Sequence, residues 1–352
     1  MNAPTPILWT LTDGRRGMEN QCVGLAERLA ETQGWPFEIK TISPGKPWSY
    51  LPESLAGRPW PAPFKALTDA DRSALAPPWP DILIGCGRQS MAYSITIRKR
   101  NQGNTFTVQT QAPKLPLSQF DLIIPPEHDN VSGANVFPIL GSPHRITPSR
   151  IAREALAASE RFASLPRPLV GVLIGGKSRH YPYTPSDVDR HIMALRRLRH
   201  EGYGVLVTLS RRTGPEASDR YREGLRGEGI WLWDGAGDNP YFALLGLSDM
   251  LLVTEDSTNM VTEATATGKP VYLLALEGGA AKFSQFHATL LERGIVRRFE
   301  GRLESYSYTP LDETGRAAAE IARRYRAYRD HKVERQDDPS GATPLESRPA
   351  DL

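Results

Sequence analysis

Residues Leu251–Leu274 read LLVTEDSTNMVTEATATGKPVYLL. The apolar runs at its two ends, Leu251–Val253 and Val271–Leu274, suit parallel strands covered on both faces. Between them, Asp256, Ser257, Thr258 and Asn259 supply N-cap chemistry and leave backbone N–H groups free at a helix start. Gly268, Lys269 and Pro270 then stop the helix. A helix start at the carboxyl end of a parallel strand is an anion site. Glu263 lies about two turns into that helix, where a carboxylate can meet a ribose hydroxyl. The plainer alternative is an ordinary strand–helix–strand unit with Glu263 in solvent.

The chain has 352 residues, enough for two domains, since single cores rarely grow beyond roughly 250–300 residues. Hydrophobic residues make up 39% and charged residues 24%, the composition of a soluble globular protein. A net charge of +3 argues against a nucleic-acid partner and allows only weak attraction to phosphate or anionic lipid. The two cysteines, Cys22 and Cys86, form neither a disulfide framework nor a metal-ligand spacing, which fits a reducing cytoplasm. The start, MNAPTPILWTLTDG, lacks a basic segment followed by a long apolar run, and no stretch is long enough to span a bilayer. The expected location is cytoplasmic, with peripheral contact at the inner face of the cytoplasmic membrane.

Strand-like and helix-like segments alternate along the chain. Ile7–Leu11 leads into the turn TDGRRGMEN and a helix from about Asn20 to Glu31. A strand near Phe37–Ile42 precedes a Pro/Trp-rich passage, Pro44–Pro80, which is a packed loop or an aromatic surface for a membrane or lipid-linked ligand. Further strands end in GCGRQS and in FDLIIPPEHD, and a helix over Pro148–Ser164 leads to LPRP. The same grammar then repeats through LVGVLIGG, GVLVTLS and the opening segment. The fold class is therefore α/β, with two Rossmann-like doubly wound domains facing across a cleft. Residues 1–164 form the amino-terminal, acceptor-side domain and 165–312 the carboxyl-terminal, donor-side domain. Residues 313–332 form a final helix packing back on the first domain, and 333–352 a disordered polar tail.

Several strand-end turns carry groups suited to chemistry. Asp13, Gly14, Gly17 and Glu19 occupy the first, where Asp13 is either a general base on an acceptor hydroxyl or a turn-stabilising aspartate. Asn20, Arg88 and Gln89 line the same side, and His128 is either a base or a structural histidine. In the second domain Gly175 and Gly176 permit close backbone approach to a diphosphate, with Lys177 or Arg179 to neutralise charge. Neither the Walker loop nor the Gly-x-Gly-x-x-Gly spacing is present. Ser210 and Arg211, in SRRT at another strand end, suit forked contacts to phosphate oxygens, although adjacent arginines also commonly face solvent. No histidine cluster or Asp-x-Asp pair points to a metal, so none is expected.

In order, TDGRRGMENQ, GCGRQS, FDLIIPPEHDN, VLIGGKS, SRRT, NPYFALLGLSD and TEDSTNMVTEATATGKPV resemble the mitochondrial fission family of the plant elongated-mitochondria type, which has many bacterial members. The resemblance spans about Ile7–Arg329. It implies a GT-B glycosyltransferase architecture, with a second half similar to the peptidoglycan lipid-intermediate N-acetylglucosaminyltransferase and to Kdo transferases. By that resemblance Gly175, Gly176, Ser210 and Arg211 meet the donor phosphates. Asp256, Ser257, Asn259 and Met260 belong to the donor helix start, and Glu263 holds the ribose. The first loop is bulkier and more charged than the glycine-rich loop of better-known members. The expectation is a metal-independent transferase using a nucleotide-sugar donor as co-substrate and a glycan or lipid-linked acceptor, with no other cofactor and no nucleic acid. Two alternatives stand beside it: a non-catalytic interaction protein with a protein partner, and a nucleotide-sugar 2-epimerase.

Overall fold

Uninterrupted apolar runs make strands that must be covered on both faces, and two such series build the molecule. The computed structural model describes residues 4–46, 48–50, 63–233 and 235–337. Strand β1 (Leu8–Thr12) is buried throughout. Helix α1 (Arg16–Gln33) packs Cys22, Leu25, Ala26 and Leu29 beside it. The helix stops at Gly34, whose φ of 71° brings its N–H to the Ala30 carbonyl. Next come β2 (Phe37–Thr41), α2 (Asp69–Ala74), β3 (Ile82–Gly85), α3 (Arg88–Arg100), β4 (Phe106–Gln109) and β5 (Leu122–Ile123). The five strands form a parallel sheet ordered β2-β1-β3-β4-β5.

After α4 (Pro148–Ala158), the second series runs β6 (Leu169–Ile174), α5 (Pro185–His200), β7 (Gly204–Leu209), α6 (Pro215–Gly224) and β8 (Ile230–Trp233). It continues through α7 (Tyr241–Leu247), β9 (Met250–Thr254), α8 (Thr258–Thr265), β10 (Val271–Leu274), α9 (Ala281–Glu292) and β11 (Val296–Arg298). The order β11-β10-β9-β6-β7-β8, parallel throughout, starts in the middle and grows in both directions. The two-sheet α/β expectation therefore holds. Connections diverge between β1 and β3 in the first sheet and between β6 and β9 in the second, which opens a crevice at each point.

Helix α10 (Glu313–Asp337) returns to the first sheet. Ala317, Ala318, Ile321, Ala322 and Tyr325 join the core of Leu8, Leu25, Leu29 and Phe106. Its length corrects the expected tail: the helix runs five residues beyond Lys332, and only the residues after Asp337 lie outside the description. The helix expected over Pro148–Ser164 ends at Ala158 and gives way to a 3-10 turn, Glu160–Phe162. Of the Pro/Trp-rich passage, residues 51–62, including Trp60, lie outside the described residues.

The crossover between the halves, residues 140–146, is tied to both. The Leu140 N–H donates to Glu313 Oε2 at 2.9 Å and the His144 N–H to Thr314 Oγ1 at 3.0 Å. Glu27 of α1 accepts from Arg145 and Arg150, and these bonds outweigh burial and hold its carboxyl below the ordinary carboxylate range. Gly24 brings α1 close against the crossover backbone, since a Cβ there would lie 2.2 Å from the His144 carbonyl oxygen. Gly24→Ala is expected to cost roughly 1–3 kcal/mol through overpacking, measured by denaturant unfolding. Wild-type stability in that variant would contradict the close approach.

Candidate functional site

The carboxyl ends of β6, β7 and β9 converge on one buried carboxylate, Asp256. The Gly176 N–H donates to Asp256 Oδ2 at 3.0 Å and the Thr254 hydroxyl to Oδ1 at 2.7 Å. Arg212 pairs with Oδ2 at 2.8 Å. Thr254 Oγ1 also accepts from the Gly175 N–H at 2.8 Å. A Cβ on Gly175 would lie 2.1 Å from Asp256 Oδ1, and one on Gly176 2.1 Å from the Arg212 carbonyl carbon. The glycine pair is thus required by the protein's own carboxylate and backbone. Sequence reasoning put these two amides on a phosphate; in the structure Thr254 and Asp256 already take them.

The adjacent arginines separate by partner. Arg212 is committed to Asp256, and its backbone oxygen accepts from the Lys177 N–H at 3.0 Å. Ser210 Oγ accepts the Arg212 N–H at 3.0 Å. Arg211 and the Lys177 side chain are exposed, and among the described residues neither side chain has a protein partner. Arg179, two residues beyond Lys177, is likewise exposed without a partner among the described residues, so these three side chains are available to an anion.

Helix α8 starts beside this hub. Ser257 Oγ caps the Met260 N–H at 3.4 Å, so the Met260 amide, expected to face a ligand, is occupied. Among the described residues the Thr258 and Asn259 N–H groups have no acceptor, and they carry the positive end of the helix dipole. The Asn259 side chain turns to the other half of the molecule. Ser142 Oγ of the crossover donates to its Oδ1 at 2.9 Å, and a Cβ on Gly17 of α1 would lie 3.3 Å from its Nδ2. Glu263 is buried rather than solvated, with Tyr241 donating to its Oε2. Burial pushes the Glu263 carboxyl up to about 7, and the tyrosine hydroxyl partly offsets it. Tyr241 escaped sequence reasoning because only the fold brings α7 against α8.

On the first sheet, Asp13 Oδ1 accepts from the Arg15 N–H at 3.3 Å and Oδ2 pairs with the Arg15 guanidinium at 3.4 Å. Its carboxylate therefore closes the turn, with Gly14 at φ 76° beside it. Glu19 and Asn20 are half-buried in the first turns of α1. Arg88 and Gln89 both donate to the Ser49 carbonyl, at 2.5 and 2.9 Å, and so hold the Trp48–Tyr50 turn. His128 is buried against Phe286 of α9, ring centres 5.5 Å apart, and its Nδ1 has no hydrogen-bond partner. Burial lowers its basicity. It faces His287, whose imidazole burial brings down to about 4 with the charges of Arg298 and His128 adding to the effect. Arg298 itself pairs with Glu255 at 2.8 Å. Neither His287 nor Glu255 was singled out from sequence. Among the described residues no group of three or more His, Cys, Asp or Glu could hold a metal ion, and no helix is long and apolar enough to cross a membrane.

Two outcomes follow from this geometry. Asp256→Asn removes a buried charge that three donors satisfy while Arg212 stays partly exposed to water, and a loss of roughly 1–3 kcal/mol in unfolding free energy is expected. A loss under about 1 kcal/mol would show that the hub is not structural. Glu263 is the second case. Its folded pKa lies above the ordinary 4.5, so the stability it contributes is complete below that value and is lost as pH rises through about 7. Glu263→Gln removes this slope. Between about pH 4 and about pH 8 the variant should gain on the wild type by about 3 kcal/mol, read from parallel unfolding curves. Parallel pH profiles would contradict the buried carboxyl.

A sequence profile described as Mitochondrial fission ELM1 matches residues 16–325. The Arabidopsis thaliana mitochondrial fission protein ELM1 is 31% identical over 289 residues, covering 74% of this chain and 68% of that protein. An uncharacterized protein of Rickettsia prowazekii (strain Madrid E), RP120, is 25% identical over 357 residues, covering 88% and 96%. Among solved structures, a putative UDP-N-acetylglucosamine 2-epimerase from Listeria monocytogenes superposes with a TM-score of 0.56 at 14% identity, covering 93% and 98%. The UDP-GlcNAc 2-epimerase of Methanocaldococcus jannaschii gives 0.52 at 11%, covering 90% and 99%. These likenesses place both sheets in the GT-B architecture shared by such epimerases and by glycosyltransferases. Matched from residue 16 to residue 325, the chain belongs to the mitochondrial fission ELM1 family.

Proposed function

We propose that this chain is a metal-independent glycosyltransferase that takes a nucleotide-sugar donor in its second half. The observation that carries the reading is the start of α8, where free Thr258 and Asn259 amides stand at the β6/β9 crevice and Glu263 follows on the same helix. A diphosphate fits the amides, with Arg211 and Lys177 adding charge from the neighbouring loops. Glu263 accepts from the ribose. The acceptor, a glycan or lipid-linked hydroxyl, approaches from the first sheet. Its oxygen bonds to the anomeric carbon as the bond to the diphosphate breaks, and Asp13 takes the hydroxyl proton after releasing Arg15. UDP-GlcNAc appears with a structural neighbour from Neisseria meningitidis that shares the fold at a TM-score of 0.52, which makes a UDP-sugar the first donor to try.

A second reading is a non-catalytic scaffold. It is favoured by the commitment of Arg88 and Gln89 to Ser49 and of Asp13 to Arg15, since these occupy the expected acceptor side with the protein's own groups. A thermal-shift screen against nucleoside diphosphates and UDP-GlcNAc separates the two, because a ligand at 100 times its dissociation constant adds about 2.7 kcal/mol. Glu263→Ala should weaken binding of the responding nucleotide by roughly 10- to 100-fold in calorimetric titration. Unchanged affinity in the folded variant removes Glu263 from the site. No response to any nucleotide favours the scaffold.

A further inference from the structure

The residue behind Glu263 is as constrained as Glu263 itself. Tyr241 opens α7, its N–H is accepted by Asn239 Oδ1 at 3.1 Å, and its hydroxyl donates to Glu263 Oε2. The far end of the same seven-residue helix is held by Lys269. Its Nζ donates to the carbonyls of Leu245 at 2.8 Å, Gly246 at 2.6 Å and Ser248. Burial brings the Lys269 ammonium down to about 8. The middle is held by contact, because a Cβ on Gly246 would lie 2.3 Å from the Ile151 carbonyl oxygen of α4. Arg150 of α4 covers the Phe242 ring at 5.3 Å. A short helix fixed at both ends and along one side cannot turn its first residue away.

On the other side of the pair, α8 is equally confined. A Cβ on Gly141 of the crossover would meet Thr262 Oγ1 at 2.1 Å, one residue before Glu263. Tyr241 occupies Oε2, and among the described residues no protein donor reaches Oε1. Glu263 keeps 8% of its surface exposed, an opening suited to one polar ligand edge. A carboxylate pinned through one oxygen and open at the other presents fixed lone pairs to a vicinal diol.

We propose that Tyr241 is the positioning residue of the nucleotide site, orienting Glu263 so that its free oxygen selects ribose over 2′-deoxyribose. The inference rests on the donor reading above. Tyr241 does not touch the ligand; it acts through Glu263. A site built to hydrogen-bond a hydroxyl rejects the analogue lacking it, and only if the acceptor is held in place. The hydroxyl also donates to the ionised carboxylate more strongly than to the acid, so it favours the form that accepts from ribose. Among the described residues no other charge competes in that role. The groups acting on Glu263 are Tyr241 of α7 and burial, with no titratable side chain contributing from α8 itself, from β9, from β10 or from the crossover.

The test uses the full chain and whichever of ADP, CDP, GDP or UDP binds most tightly, with its 2′-deoxy counterpart. Calorimetric titrations from about pH 6 to about pH 9 compare wild type, Tyr241→Phe, Glu263→Gln and the double variant, with thermal unfolding as the check on folding. Tyr241→Phe is expected to lose about tenfold in ribonucleotide affinity near pH 7. Its binding midpoint should move to higher pH, and most of the ribose preference should disappear. In the Glu263→Gln background the same change should have no further effect, the signature of one residue acting through the other. Wild-type affinity, pH midpoint and ribose preference in folded Tyr241→Phe, with Glu263→Gln impaired, would overturn the inference and leave the donor reading intact. An equal loss in both backgrounds would also overturn it. Full affinity in Glu263→Gln would remove Glu263 from the site and overturn this inference, whereas no binding of any of the four nucleotides would remove the donor reading as well.

Discussion

The buried Asp256 carboxylate is the constraint on which the second half depends. An ionised carboxylate out of water is costly unless it is paired and hydrogen-bonded. Here the Gly176 amide, the Thr254 hydroxyl and Arg212 meet its two oxygens, drawn from the ends of three different strands or their loops. Satisfying that one charge fixes the relative height of β6, β7 and β9 at the crevice. It also dictates two glycines, because any side chain at residue 175 or 176 would occupy space held by Asp256 or by the Arg212 backbone. The lip of the crevice is thereby tied by the protein's own bonds, and among the described residues it leaves the Thr258 and Asn259 amides without an acceptor and the Lys177, Arg179 and Arg211 side chains without a partner. Charge is divided between a structural pair and a free set, and adjacent arginines fall on opposite sides of that division.

The two halves meet at the same place. Asn259 stands in the first turn of α8, yet its side chain is held by Ser142 of the crossover and lies against Gly17 of α1. The crossover presses on α8 again at Thr262 and on α1 at Gly24. A rotation of one sheet relative to the other must therefore act on the helix that carries the free amides and Glu263. Helix α10 closes the circuit: Glu313 and Thr314 anchor the crossover while the alanine face of the helix packs on the first sheet. Any relative movement of the two sheets would therefore be felt at the start of α8 through these contacts.

Much of this was legible from the sequence, and the part that was not has a common cause. Runs such as Leu169–Ile174 and Leu251–Val253 announce strands covered on both faces, and the turns after them announce the crevice, because topology places every strand-end loop on one edge. Glu263 and the α8 start could be placed from local spacing alone. What local spacing does not report is which partner satisfies a polar group first. Gly175 and Gly176 look the same whether they face a phosphate or Asp256, which lies 80 residues further along. Arg88 and Gln89 look free until the fold brings Ser49 to them across about 40 residues. Tyr241 meets Glu263 only because α7 and α8 pack together. The end of α10 failed for a different reason: helix continuation needs only helix-forming residues and no apolar pattern, so the polar run after Lys332 reads as tail.

Under the proposed donor reading, the pair formed by Glu263 and Tyr241 gives a single buried acid a role in binding. Full ionisation in the empty pocket would leave an isolated charge with one hydroxyl partner, the arrangement that burial penalises most. Full protonation would turn one carboxyl oxygen into a donor and weaken its grip on sugar hydroxyls. Burial and the tyrosine act in opposite directions and leave the group near neutrality, so the entering diol supplies the hydrogen bonds that tip it. On that reading, ligand binding near neutral pH would coincide with loss of the Glu263 proton, and contacts to the ribose would meet the cost of ionisation. That dependence would make the acid selective: a ligand lacking the hydroxyls leaves Glu263 protonated and gains none of those contacts.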